Sequence, residues 1–150
     1  MNVSTTGTGA IDLDGLGALT LSDVDTVNGA ITVTSGGALT VTDVASGTNG
    51  NISLTTTSGD ITGLATVNAG SGNVTLNSAG AIADDGSTGT VVTGGVLTAD
   101  AAGAITIDST VASADISTSA AGAVDLDETN AITLTAVSYT HLTLPTIAKV

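Results

Sequence analysis

The residues with the most chemical potential are three Asp-x-Asp pairs: Asp12/Asp14, Asp23/Asp25 and Asp125/Asp127. On a strand, residues i and i+2 share a face, so each pair presents two carboxylates side by side. Such a pair could contribute to a calcium site, which takes about 6–8 oxygen ligands. It could also serve as acid and base on a glycosidic bond. Neither chemistry is completed by its surroundings. The glycine-rich nonapeptide calcium repeat and the EF-hand loop are both absent. Polysaccharide-cleaving active sites of this acidic kind also draw on Arg or Lys, and Lys149 is the only such residue in the chain. His141, the only histidine, has no partner near it in sequence for metal binding or base catalysis. The expectation is therefore a protein that is not an enzyme. No catalytic, cofactor-binding or metal-binding residue is assigned, and no cofactor is expected.

Threonine pairs form a second pattern: Thr32/Thr34, Thr40/Thr42 and Thr133/Thr135. A flat array of these could bind ice. The equivalent positions elsewhere are Asp12/Asp14, Ser53/Thr55, Thr75/Asn77 and Asp125/Asp127, so a regular threonine array is not expected. Gly-rich stretches such as GTGA read as corners, since no helix follows a strand to make a phosphate-binding loop.

These pairs sit in a repeated phrase. GAITVT (Gly29 to Thr34) is followed by GALTVTDV (Gly37 to Val44), and each alternates apolar and polar residues with period 2. The phrase recurs as GAIDLD at Gly9, GALTLSDV at Gly17, GNISLT at Gly50, GDITGL at Gly59, GNVTLN at Gly72 and GAIADD at Gly80. It continues as GVLTAD at Gly95, GAITID at Gly103, ADISTS at Ala114, GAVDLD at Gly122 and NAITLT at Asn130. Every second start, at 9, 29, 50, 72, 95 and 114, falls 19 to 23 residues after the last. Two strong strands and a weaker third, such as Val24 to Val27, Leu64 to Val67 or Val91 and Val92, fill each repeat.

Three short strands per twenty-odd residues make one coil of a parallel β-helix, with like strands stacked about 4.8 Å apart. The expected fold is all-β: a right-handed parallel β-helix (β-solenoid) of about six coils, open at both ends. One inward column should be Ile11, Ile31, Ile52, Val74, Leu97 and Ile116. A second should be Leu19, Leu39, Ile61, Ile82, Ile105 and Val124. Two inward slots fall on Gly63 and Asp84, where a bulge or loop is expected, because an unpaired buried carboxylate is too costly. The competing arrangement is a sandwich of hairpins, with turns at Asn28-Gly29 and Asn49-Gly50.

Composition agrees with thin aliphatic layers. There is no Phe or Trp and one Tyr, while Gly numbers 20 and Pro one. The net charge of −13 excludes phosphate-backbone binding to nucleic acid and a basic membrane patch. No apolar run is long enough to span a membrane, so no membrane insertion is expected. There is no Cys, so disulfides and thiolate metal sites are excluded. The opening MNVSTTGTGA has neither the basic nor the apolar region of a secretion signal, and Met1 is expected not to be the true start.

The GAITVT, GALTVT and GNVTLN repeats over Gly9 to Thr135 resemble those of filamentous-haemagglutinin-type adhesins and other large bacterial β-strand-repeat surface proteins. The resemblance implies a β-helical stalk on a longer secreted or cell-surface protein. Its partners would be the rest of its own chain and host-cell, matrix or polysaccharide ligands. The segment 1–136 is thus expected to be the β-helix. From Val137 the composition changes: the only Tyr, His, Pro and Lys all fall in the last 14 residues. The string VSYTHLTLPT, residues 137 to 146, resembles a translated sequencing-library adapter, so 137–150 is expected to be a non-native tail.

Overall fold

The computed structural model describes residues 1–120 and 122–139, with no statement about the side chain of Tyr139. Among these residues the chain is all-β and forms one parallel sheet wound into stacked coils, a β-solenoid of about six turns. The strands, numbered in chain order, lie on three faces that each coil visits in turn. The first face holds β2 (Ile11–Gly15), β5 (Ile31–Ser35), β8 (Ile52–Thr56), β11 (Val74–Ser78), the second half of β13 (Val92–Ala101), the end of β14 (Ile105–Thr118), and β16 (Thr133–Tyr139). The second holds β3 (Leu19–Leu21), β6 (Leu39–Val41), β9 (Ile61–Leu64), β12 (Ile82–Asp84), the start of β14, and β15 (Val124–Glu128). The third holds β1 (Asn2–Ser4), β4 (Asp23–Asp25), β7 (Asp43–Ala45), β10 (Thr66–Asn68), the start of β13 and the middle of β14.

Alternation drives this arrangement. In β5 Ile31 and Val33 are buried while Thr32 is exposed; β6 repeats this, and in β8 buried Ile52 and Leu54 alternate with half-buried Ser53 and Thr55. Stacking pairs each inward aliphatic with its counterpart one coil on. Leu19, Leu39, Ile61, Ile82, Ile105 and Val124 pair in succession, as the repeat predicts. Ile11, Ile31, Ile52, Val74 and Leu97 do likewise. The hairpin alternative is excluded, because every strand pair is parallel and Asn28-Gly29 and Asn49-Gly50 are corners between coils.

The first column ends differently from the repeat. Leu97 pairs with Ala114, 17 residues on, and Ile116 pairs with Ala99. The physical reason lies in the corners. Residues 105–118 contain no Gly, and β14 runs through 14 residues across all three faces without a glycine corner. Removing that corner shortens the coil by two residues and moves the next inward residue from Ile116 to Ala114. Both are fully buried, so the core stays filled.

The expected irregularity at Gly63 is present. Gly63 takes a left-handed φ of 61°, and the register of β9 against β12 shifts between Ile82 and Asp84. The extra residue lets Leu64 return to the core. Asp84 ends β12 half-buried, its carboxylate accepting the Gly86 N–H at 2.9 Å, and the chain turns outward into 85–91.

The third column is Val3, Val24, Val44, Val67, Val92, then Ser109 and Glu128. Two corners carry buried hydroxyls. Ser35, Thr56 and Ser78 close the first face, where Thr56 donates to the Gly59 carbonyl at 2.9 Å and Ser78 to the Ala81 carbonyl at 2.8 Å. Thr26 and Ser46 close the third, donating to the carbonyls of Gly29 and Gly50. Each hydroxyl thereby donates to a carbonyl of the turn that follows it, and the Ala81 carbonyl also accepts the Ile61 N–H at 2.9 Å.

The last described strand on the first face is β16. Leu134 and Val137 on β16 extend the inward columns beyond Ala114 and Ile116, yet are 54% and 43% exposed. Strand β16 runs across Val137 to Tyr139, a pairing that a native or a foreign tail permits equally. The remainder of the tail, with His141, Pro145 and Lys149, lies outside the described residues.

Candidate functional site

The three Asp-x-Asp pairs share a local cause. Each is an outward pair on a strand whose inward partners are aliphatic, as Asp12 and Asp14 flank Leu13 on β2. The coil winding then sends them to different places. Asp12 and Asp14 lie on the first face and stack on Thr32 and Thr34. Asp23 and Asp25 lie on the third face, in the first coils. Asp125 and Asp127 lie on the second face in the last coil, stacked on Thr106 and Asp108. No two of the pairs form a joint site.

Two of the three gain other acids. Asp25 titrates above the usual carboxylate range: partial burial is the main cause, followed by its hydrogen bond and repulsion with Asp23 and repulsion from Asp43. The larger gathering surrounds the 85–91 loop. A cavity of about 430 Å³ is lined there by Asp84, Asp108, Asp127, Glu128 and the hydroxyls of Ser87 and Thr90, among others. Asp108 is pushed up by desolvation first, then by repulsion from Asp84, Asp127, Asp125 and Asp85. Asp85 moves down instead, because the Ser87 N–H donates to its carboxylate at 2.9 Å.

Chemically, this concave acidic surface attracts cations and repels anions. Among the described residues no group of three or more His, Cys, Asp or Glu is arranged to hold a metal ion. None of the described residues is a Lys, Arg or His. His141 lies outside the described residues. The threonine pairs form mixed columns: Asp12, Thr32, Ser53, Thr75, Thr98 and Asp115 follow one another on the first face.

Glu128 and Ser109 were not legible as a pair in the sequence. Ser109 is fully buried and donates to Glu128 Oε2 at 2.5 Å, while the Val111 N–H donates to Oε1 at 3.1 Å. The signal was there in principle, since Glu128 is the only Glu of the chain. It becomes readable only with the corrected register, which puts Ser109 and Glu128 where earlier coils have Val. Glu128 also borders a second cavity of about 550 Å³ at the C-terminal edge, lined by Val124, Leu126, Ile132, Leu134 and Val137 among others. Compared with family models, with curated proteins and with solved structures, the chain finds no match.

Proposed function

We propose that this chain is a stalk segment: a stiff acidic spacer in a longer secreted or cell-surface repeat protein of bacterial adhesin type, without catalytic activity of its own. One observation carries the reading. The aliphatic columns run through nearly every coil, while the outward chemistry changes from coil to coil and never repeats as a site. A spacer needs the first property and is indifferent to the second. Stacked backbone hydrogen bonds and buried columns resist bending, and dispersed carboxylates keep the rod soluble. In this reading its partners are the flanking coils of its own longer chain, and ligands such as host-cell, matrix or polysaccharide groups belong to distal regions.

The test is to insert residues 1–136 between a surface anchor and a reporter domain. Six coils at ~4.8 Å each should raise the reporter by ~30 Å, read by distance-dependent energy transfer from dyes at the surface. In parallel, the chain is incubated with neutral and acidic polysaccharides and titrated with calcium. An unchanged reporter height would overturn the stalk reading. Chain cleavage would replace it with a polysaccharide-acting enzyme, and saturable calcium uptake lost in Asp108→Asn would replace it with a calcium-binding module.

A further inference from the structure

Two Asn-Gly dipeptides sit at equivalent corners of successive coils: Asn28-Gly29 leads into β5 and Asn49-Gly50 into β8. Such a dipeptide can react with itself. The backbone nitrogen of the glycine, unhindered because the residue has no Cβ, attacks the side-chain carbonyl carbon Cγ of the asparagine. The new N–Cγ bond closes a succinimide ring as the Cγ–Nδ2 bond breaks. Ammonia leaves with the proton given up by the glycine nitrogen. Water then opens the ring at either carbonyl, leaving aspartate or isoaspartate. We propose that Asn49 is a site of this spontaneous modification and that Asn28, its counterpart one coil earlier, is protected from it by Thr48.

The two corners differ by one residue. Thr26 donates to the carbonyl three residues on, that of Gly29, while Ser46 donates to the carbonyl four residues on, that of Gly50. The extra residue brings Thr48 over Asn28. The Thr48 N–H and Oγ1 both donate to Asn28 Oδ1, at 3.2 and 2.5 Å. Ring closure requires Cγ to swing toward the nitrogen of Gly29, and these two bonds tie it to the neighbouring coil instead. The coil that follows offers Asn49 no such grip. Ser71 donates through its N–H and Oγ to the Thr48 carbonyl, at 2.8 and 3.1 Å, and not to Asn49. Among the described residues, neither the exposed carboxamide of Asn49 nor the N–H of Gly50 has a hydrogen-bond partner. The Asn49 side chain therefore samples the rotamers that carry Cγ to a free nucleophile. The products differ in their effect on the coil. Aspartate adds a charge at an exposed corner. Isoaspartate reroutes the main chain through the side-chain carbon and lengthens it just before Gly50. Stacking there is so close that a Cβ on Gly50 would lie 2.3 Å from the Gly29 carbonyl oxygen.

The full-length chain is incubated folded at mildly alkaline pH, and in parallel in concentrated urea. Samples are digested with pepsin at acidic pH, and mass spectrometry reads amide loss at each asparagine, with aspartyl and isoaspartyl peptides separated by chromatography. In the folded chain Asn49 should lose its amide about tenfold faster than Asn28, the effect of two hydrogen bonds that must break before the ring can close. In urea the two should react at similar rates, since each is then a solvated Asn-Gly. Thr48 is exposed, so Thr48→Ala removes one of the two bonds without touching the core. That variant should raise the folded-state rate at Asn28 several-fold and leave Asn49 unchanged. Equal rates at the two sites in the folded chain overturn the proposal, as does an Asn49 that reacts only in urea. A rate difference that persists in urea overturns it too, because the fold would not be its cause. An Asn28 that reacts faster than Asn49 and slows in Thr48→Ala overturns it in the opposite sense: the Thr48 donors would then stabilise the oxyanion of the attack rather than hold Cγ away.

Discussion

Ile52 and Thr32 illustrate how sharply the two sides of one coil wall differ. Ile52 sits between Ile31 and Val74 with 1% of its surface exposed, whereas Thr32 is exposed on the neighbouring strand. Ile52→Asp should lower stability by more than about 3 kcal/mol, because it buries a carboxylate without a partner. Thr32→Asp should cost at most about 1 kcal/mol, and only because it faces Asp12 across the strand pair. Thermal unfolding of both variants checks this, and equal shifts would mean the faces are misassigned. The titration of the acids gives a second prediction. Asp25 and Asp108 have folded pKa values raised above the unfolded value of about 3.9. Folding thus favours their protonated forms, so their repulsion is present at neutral pH. It is relieved as pH falls through the raised values towards about 3.9, below which the unfolded chain is protonated too. Asp85 acts oppositely: its lowered pKa contributes stability above about 3.9 that disappears as pH falls further. The melting temperature should therefore rise between pH 7 and about pH 4, and Asp108→Asn should raise it at pH 7 while flattening that rise. A melting temperature that falls steadily from pH 7 to about pH 4 would contradict the assignment.

At the scale of the element, the corners decide what can change. Gly47 has a φ of 68°, and a Cβ added there would lie 1.6 Å from the Val27 carbonyl oxygen. Gly86 has a similar φ of 74° but nothing within 4 Å. Gly86→Ala should cost about 1–2 kcal/mol from backbone strain alone. Gly47→Ala should cost clearly more, because the neighbouring coil must also move. Denaturant melts of the two variants make the comparison, and an equal loss would mean the coils are not packed this closely. The first two faces were legible from the sequence because GAITVT and GALTVT repeat both their period and their glycine corners. The third face was only partly legible, since its strands are three residues long and alternation cannot be established over so short a run. The shift at Ala114 was hidden because it follows from a missing corner, and a missing glycine leaves no mark in a list of motifs. The hydroxyl columns at Ser35 and Ser46 were hidden for the opposite reason: Ser and Thr occur everywhere in this chain, so their presence at a corner carries no contrast. The acid pairs were readable singly, but their separation onto three places needed the winding.

For the whole molecule, dispersed negative charge sets how copies and coils tolerate one another. Self-repulsion opposes both the compact state and any contact between copies, and salt screens it within about 10 Å at 0.1 M. Raising salt from low to moderate concentration should increase the melting temperature and the weight-average mass together. Sedimentation velocity and thermal melts on the same samples check the coupling, and a rise in mass with no gain in stability would break it.

The steady spacing of paired strands has a kinetic consequence. Successive strands in each column are separated by 17 to 25 residues, whichever face they lie on. No contact waits for distant chain, so the entropy of loop closure is nearly the same for each coil added. Folding can start at any pair of coils and grow in either direction, one coil at a time, as a zipper does. A chain that emerges gradually, from a ribosome or through a pore, can then lay down each coil on the last as soon as some twenty further residues are free.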